Sequence, residues 1–125
     1  LATTSFDGAL HRGVLAERLR HATLVLIPSH SETFGLVALE AAASGIPVIA
    51  RAAGGLREAV LDGETGLLID SDDPGVWAAE IDALLRDHDR IDRLGRAARA
   101  SALTRSWRAS TEALLGAYRE VALPR

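Results

Sequence analysis

The chain has 125 residues, enough for one domain with its own core. Hydrophobic residues make up 48% of it and charged residues 25%, which excludes disordered and fibrous classes. Its net charge of −3 gives no general attraction to polyanions, so we predict no nucleic-acid partner.

Cysteine, methionine and lysine are absent from the sequence. Without cysteine there are no disulfides, thiol nucleophiles or cysteine-ligated metal sites. All 14 basic residues are arginine, which excludes Schiff-base chemistry and a phosphate-binding P-loop lysine within this chain. Because the chain opens at Leu1 and has no methionine, we expect a processed chain or a fragment. No apolar run approaches the ~20 residues of a membrane span, and we expect a cytoplasmic location.

Short apolar runs alternate with longer amphipathic segments, which is typical of strand-helix-strand units with a parallel sheet. We predict strands over residues 3–6, 23–28, 47–50 and 66–69. The second run, TLVLIP, is apolar throughout, so we expect that strand to be buried on both faces.

Helices are predicted between and after these strands. Val14, Leu15, Leu19 and Ala22 share one helical face of the first, and Gly45 closes a second over residues 34–44. A short third helix is expected over 56–61. Three closing helices are predicted next. The first begins at residue 74, the second covers residues 90–103 and the third covers residues 106–121.

The first closing helix has the clearest start signal. Asp73 before Pro74 is an N-cap and first-turn pair. The predicted buried stripe of this helix is Trp77, Ile81, Leu84 and Leu85. The fold prediction is therefore α/β, a Rossmann-like parallel sheet of about four strands with flanking helices, ending in three helices. A doubly wound domain usually has about six strands, so we expect the others to come from upstream of Leu1.

The most informative stretch is PSHSETFGLVALEAAASGIPVIA, residues 28–50. Between Phe34 and Ser44 every residue is apolar or small except Glu40. A buried, unpaired carboxylate costs several kcal/mol, so we expect Glu40 to face a cavity or a hydrogen-bonding partner. The alternative is an ion pair with an arginine such as Arg12 or Arg51.

Glu32 precedes the same helix, at the carboxyl end of a strand, where ligands gather in open α/β sheets. The backbone amides of Phe34, Gly35 and Leu36 would point free N–H groups there, a site suited to a phosphate or diphosphate. The alternative is structural, since Ser29 and Glu32 have the S-x-x-E spacing of a capping box.

The run P-S-x-x-E-x-F-G-L-x-x-x-E-A-x-A-x-G-x-P-V, followed by Gly54, Gly55 and the D-G-x-x-G-L-L of residues 62–68, carries a resemblance. It resembles the C-terminal, donor-binding domain of retaining glycosyltransferases of the GT-B fold, family 4. Glu32 and Glu40 stand eight positions apart, as in the two-glutamate motif of that family. The resemblance covers nearly the whole chain and includes Phe6-Asp7-Gly8, Trp107 and Tyr118.

The resemblance implies a role for each candidate. Glu32 would be the catalytic residue, in contact with the transferred sugar at the reacting centre. Glu40 would bind the ribose hydroxyls of a nucleotide sugar. The sugar and diphosphate would be held by the amides of Phe34, Gly35 and Leu36. Gly54 and Gly55 would approach the donor from a neighbouring turn, although paired glycines also close tight turns for structural reasons.

The resemblance further implies hexosyl transfer with retention by a bacterial enzyme, with a nucleotide sugar as co-substrate, no cofactor and no metal. Residues 1–125 would be a partial C-terminal domain. The N-terminal acceptor domain, which reads an unknown acceptor, and an Arg and Lys pair from the first strand-helix unit would be absent. We therefore expect the isolated chain not to turn over. The alternative is a non-catalytic remnant or binding module; a dinucleotide-binding Rossmann half is weaker, since no G-x-G-x-x-G follows a strand.

Other signals have plain interpretations. His30 is interpreted as a loop histidine, because the sequence places no acid partner beside it. Asp70, Asp72 and Asp73 superficially suggest a calcium loop but more simply cap the Trp77 helix.

The arginines between residues 86 and 108 are predicted to form a solvated, salt-bridged surface, locally offset by Asp87, Asp89 and Asp92. Contact with a phospholipid membrane or an anionic acceptor is the lesser alternative. The last helix is amphipathic, and we predict an exposed apolar patch on it and self-association.

Overall fold

The computed structural model describes residues 3–122. Within this range three strands, β1 (Val25–Ile27), β2 (Val48–Arg51) and β3 (Gly66–Ile69), form one parallel sheet in the order β1-β2-β3. The sheet is flanked by helices, which confirms the predicted α/β class, with three strands where about four were expected.

Six helices surround the sheet in the described range. They are α1 (Arg12–His21), α2 (Leu36–Ala43), α3 (Leu56–Ala59), α4 (Pro74–Leu85), α5 (His88–Leu103) and α6 (Trp107–Ala122). All of them were predicted, with ends that differ by a few residues, and the chain closes with three helices as expected. Gly45 follows α2 with φ of 74°, the left-handed conformation that ends helices.

The predicted strand over residues 3–6 is wrong. These residues are irregular, and the side chain of Phe6 is 96% exposed. A strand is stabilised by the strands it pairs with, and β1 and β3 both pair only with β2 in the described range. Residues 3–6 have a local preference for extended structure, but no neighbouring strand in the described range forms backbone hydrogen bonds with them.

Two helical layers enclose the sheet. On one face, Leu19 of α1, Ala38 and Ala41 of α2 and Leu56 of α3 pack with residues of β1 and β2. On the other face, Leu84 of α4 and Leu94 of α5 pack on Ile49, Leu67 and Ile69. The central strand β2 is thus covered on both sides, and Val48, Ile49 and Ala50 are at most 1% exposed.

The prediction that β1 is buried on both faces is wrong for one face. Ile27 is buried, but Leu26 is 47% exposed. Strand β1 lies at the edge of the described sheet, and the core of the α4–α5 face is centred on β2 and β3.

Helix α4 begins as predicted, with the Asp73 carboxylate accepting a hydrogen bond of 2.8 Å from the Gly75 amide. Leu84 is fully buried, whereas Leu85 is 42% exposed, so the predicted stripe is wrong at Leu85. Consecutive residues of a helix point about 100° apart, and Leu85 is turned away from the sheet.

The arginine-rich segment does more than form surface ion pairs. Arg86 and Arg108 make exposed pairs at 2.9 Å with Asp82 and Glu112. Arg99 instead donates to the Ala43 carbonyl at 2.6 Å, and Arg105 donates to the Glu58 carbonyl at 2.8 Å. These two side chains satisfy carbonyl groups at the carboxyl ends of α2 and α3, where a positive charge also suits the helix dipole.

Helix α6 contributes nothing to the buried core of residues 3–122. Trp107, Tyr118 and Val121 are 91%, 64% and 86% exposed. This confirms the predicted exposed apolar patch, while self-association stays a prediction. Among the described helices, none has the length and apolar character to cross a membrane.

The difference between Leu84 and Leu85 predicts their contributions to stability. Leu84→Ala should lower the free energy of unfolding by about 2–5 kcal/mol, because it removes buried methyl groups and leaves a cavity. Leu85→Ala, one position along the same helix, should cost less than about 1 kcal/mol. Urea denaturation of both variants measures this difference, and equal losses would contradict the packing of α4 described above.

Candidate functional site: the amino end of helix α2

The loop between β1 and α2 carries Glu32. The side chain of Glu32 is partly buried, and the backbone carbonyl of Glu32 accepts a hydrogen bond of 2.7 Å from the amide of Gly55. Because Gly55 follows the neighbouring strand β2, the loop is attached to the carboxyl edge of the sheet. This is the edge at which the sequence predicted a ligand.

Helix α2 starts without a side-chain cap. Its N-cap is Gly35, with φ of 65°, and no side chain bonds to the cap position. The alternative that Ser29 and Glu32 form a capping box is therefore wrong. The helix is eight residues long, and its first backbone bond runs from the Leu39 amide to the Gly35 carbonyl at 3.1 Å.

The first amides of α2 are consequently open. Within residues 3–122, the N–H groups from Phe34 to Ala38 have no hydrogen-bond acceptor. The side chains of Phe34 and Leu36 are 70% and 61% exposed, whereas Gly35 is buried. A Cβ at Gly35 would lie 2.9 Å from the Cβ of Ala59, so glycine lets this turn pack on α3. The free N–H groups and the helix dipole favour an anion here.

Glu40 faces a cavity, which was one of the two expected surroundings, although its side chain is exposed. The helix is only partly buried, through Ala38, Ala41 and Ala42. Glu40 lines an open cavity of about 240 Å³ between α1 and α2, together with Arg12. Within the described residues Glu40 forms no ion pair, so the alternative of an ion pair with Arg12 or Arg51 is wrong.

Gly54 and Gly55 form a turn whose backbone touches the Glu32 loop. A Cβ at Gly54 would overlap the carbonyl oxygen of Glu32, and a Cβ at Gly55 would overlap that of Thr33. Gly54 also has φ of 48°. The two glycines therefore have a packing role, and their predicted contact with a donor stays a prediction.

A cluster of three polar side chains lies at the same edge of the sheet. Asp72 accepts a hydrogen bond from Arg51, the last residue of β2, and its Oδ1 atom lies 3.2 Å from Nε2 of His30. His30 is a loop residue as predicted, and Asp72 is an acid partner that the sequence did not place beside it. The pair joins residues 42 positions apart, and no local spacing signals it.

Asp72 thus ties the loop after β3 to the loop after β1, while Asp73 caps α4. An apolar cleft of about 410 Å³ opens beside this cluster, between Leu26 and Trp77. Among residues 3–122, no three or more histidine and carboxylate side chains are grouped as metal ligands would be.

Comparison with known proteins identifies the fold around this edge. Residues 2–101 match the family model described as glycosyl transferases group 1. The chain belongs to this family. A curated member, D-inositol 3-phosphate glycosyltransferase from Segniliparus rotundus, is 50% identical over 105 residues, which cover 84% of this chain and 23% of that protein. The chain therefore spans about a quarter of the length of this relative.

Solved structures agree with the fold. Sucrose-phosphate synthase from Thermosynechococcus elongatus superposes with a TM-score of 0.84 at 36% identity, over 94% of this chain and 30% of that one. HepE from Anabaena, solved in complex with UDP-glucose, gives a TM-score of 0.72 at 27% identity, over 87% and 30% of the two chains. The three strands and their flanking helices thus match the fold of GT-B type C-terminal domains.

The open amides of α2 predict where a free anion binds. Inorganic pyrophosphate should shift the amide resonances of Phe34, Gly35 and Leu36, because these N–H groups lack acceptors. The shifts, followed by two-dimensional ¹⁵N NMR, should weaken as salt is added. The first turn of α4 is the internal control, since the Asp73 carboxylate already occupies the Gly75 amide. Larger shifts at α4 than at α2 would contradict this assignment.

Proposed function

We propose that this chain supplies part of the donor site of a retaining, nucleotide-sugar-dependent glycosyltransferase of family 4. The observation that carries the proposal is the uncapped amino end of α2, which lies between Glu32 in the preceding loop and Glu40 in the helix. Membership of the group 1 family supports it. So does the similarity to HepE, whose structure was solved with UDP-glucose.

The diphosphate of the donor would lie against the amides of Phe34, Gly35 and Leu36. When the bond between the sugar and the diphosphate breaks, negative charge increases on the leaving diphosphate. N–H groups that are already oriented, together with the positive end of the helix dipole, stabilise that charge without rearrangement. We assign no metal or other cofactor to this step.

Glu32 is proposed as the catalytic residue that contacts the transferred sugar. Its loop leads directly into the anion site, so its side chain is carried next to a sugar bonded to that diphosphate. Its carboxylate can accept hydrogen bonds from sugar hydroxyls and interact favourably with the positive charge that develops at the anomeric carbon.

Glu40 is proposed to bind the ribose hydroxyls. It lies four residues beyond Leu36, a rise of about 6 Å along the helix, on the far side of the diphosphate from the sugar. Its exposure leaves the carboxylate oxygens free to accept hydrogen bonds, and the adjacent cavity with Arg12 offers room for part of the nucleoside.

The whole protein is proposed to combine this donor site with an N-terminal acceptor domain and a basic pair that stabilises the diphosphate. The name of the relative from Segniliparus rotundus suggests an inositol phosphate as the acceptor. Because the chain spans about a quarter of that relative, the acceptor and turnover are properties of the whole protein. The isolated chain is expected to bind the donor without turnover.

Glu40→Ala tests the donor site. UDP-, GDP- and ADP-glucose are titrated by calorimetry against the 125-residue chain and against the variant. We expect at least one to bind the chain, and Glu40→Ala to weaken that binding about tenfold, as expected for a lost hydrogen bond to a charged group.

Glu80→Ala is the matched control, because Glu80 is also an exposed glutamate within a helix. It should bind with unchanged affinity. Equal affinities of Glu40→Ala and Glu80→Ala would remove Glu40 from the site. A folded chain that binds none of the three nucleotide sugars would favour the alternative of a non-catalytic module.

A further inference from the structure

Residues 51–55, which begin at the last residue of β2, are linked to the Glu32 loop at two points, directly at the glycine turn and indirectly at His30 through Asp72. We propose that this segment positions Glu32, and that Gly54 and Gly55 are positioning residues of the donor site. The inference rests on the proposed function, because it assigns these residues to the same site. In this proposal the two glycines do not contact the donor. They act on donor binding by setting the position of the Glu32 loop.

The first point of contact is the glycine turn. The Gly55 amide donates a hydrogen bond of 2.7 Å to the Glu32 carbonyl, so the two backbones are held together directly. Any side chain at position 54 would overlap that same carbonyl oxygen. The position of the Glu32 backbone is therefore set by the absence of a Cβ at Gly54.

Gly55 acts one residue further along the loop. A Cβ there would overlap the Thr33 carbonyl and lie 2.8 Å from the Phe34 amide nitrogen. Phe34 contributes one of the amides proposed to hold the diphosphate. Gly54 therefore acts mainly on the residue that contacts the sugar, whereas Gly55 acts on the amides that contact the diphosphate.

The second point of contact lies two residues before Glu32. The Arg51 side chain is only 15% exposed and is bonded to Asp72, whose Oδ1 atom also lies 3.2 Å from His30. The beginning of the loop is therefore attached to the ends of β2 and β3. Because the loop is linked at His30 and again at Glu32, a change at the glycine turn should shift Glu32 relative to His30.

The sequence supplies a matched control for Gly54. Gly63 also lies in an exposed turn and has φ of 78°, so alanine is strained at both positions. A Cβ at Gly63 meets nothing within 4 Å. Gly54→Ala and Gly63→Ala therefore share the backbone strain, and only Gly54→Ala displaces the Glu32 carbonyl.

The test compares the affinities of the 125-residue chain for UDP-glucose and for UDP. Gly54→Ala should weaken UDP-glucose binding about tenfold more than UDP binding, because the displaced Glu32 loses its contact with the sugar. Gly55→Ala should weaken the binding of both ligands. Gly63→Ala should lower stability without changing either affinity. A loss of stability alone would lower the affinities for UDP-glucose and UDP equally, so it cannot explain a larger loss for UDP-glucose.

A double-mutant cycle with Glu32→Gln makes the test specific. If Gly54 acts through Glu32, then Glu32→Gln should weaken UDP-glucose binding in the wild-type chain and have little further effect in Gly54→Ala. Additive losses would overturn the inference, as would identical behaviour of Gly54→Ala and Gly63→Ala.

Amide resonances keep the two proposals separable. In the free chain, Gly54→Ala should shift the resonances of residues 30–36, whereas Gly63→Ala should leave them in place. If the wild-type chain binds neither UDP nor UDP-glucose, the proposed function fails for these donors, and the same resonances still decide whether the turn holds Glu32. Unchanged loop resonances in Gly54→Ala would overturn the inference.

Discussion

Burial of the central strand β2 is the constraint on which the rest of the structure depends. Val48, Ile49 and Ala50 are covered by helices on both faces and paired with a parallel strand on each side. Parallel pairing brings the carboxyl ends of all three strands to one edge. The residues after β2 therefore lie between the loops after β1 and β3, where Gly55 contacts Glu32 directly and Arg51 is linked to His30 through Asp72. The edge that carries the candidate site is therefore a direct consequence of how the core is built.

Helix α2 differs at its two ends, and this difference gives the edge its chemistry. At the carboxyl end, Gly45 turns the chain and Arg99 donates to the Ala43 carbonyl at 2.6 Å. At the amino end, the N-cap is Gly35, which has no side chain to satisfy the first amides. Backbone groups without partners have a desolvation cost when they are buried, so they are retained where water or a ligand can reach them. The amino end of α2 therefore offers N–H groups to the proposed diphosphate without a charged side chain of its own.

Local signals in the sequence predicted most of the fold. The features that these signals did not predict depend on contacts between distant residues. Hydrophobic periodicity, Asp73 before Pro74 and Gly45 after α2 located three strands and six helices, because each depends on neighbouring residues. Residues 3–6 were wrongly predicted as a strand, since pairing depends on another segment. The exposure of Glu40 depends on how α2 packs against α1. The Asp72 partner of His30 could not be predicted either, because a 42-residue separation leaves no pattern in the sequence.

The most direct test of the central claim is a crystal structure of the whole protein with an intact nucleotide sugar bound. We expect diphosphate oxygens within hydrogen-bond distance of the amides of Phe34, Gly35 and Leu36, with Glu32 against the sugar and Glu40 against the ribose. A donor bound instead in the cleft between Leu26 and Trp77, with the amino end of α2 occupied only by water, would contradict it.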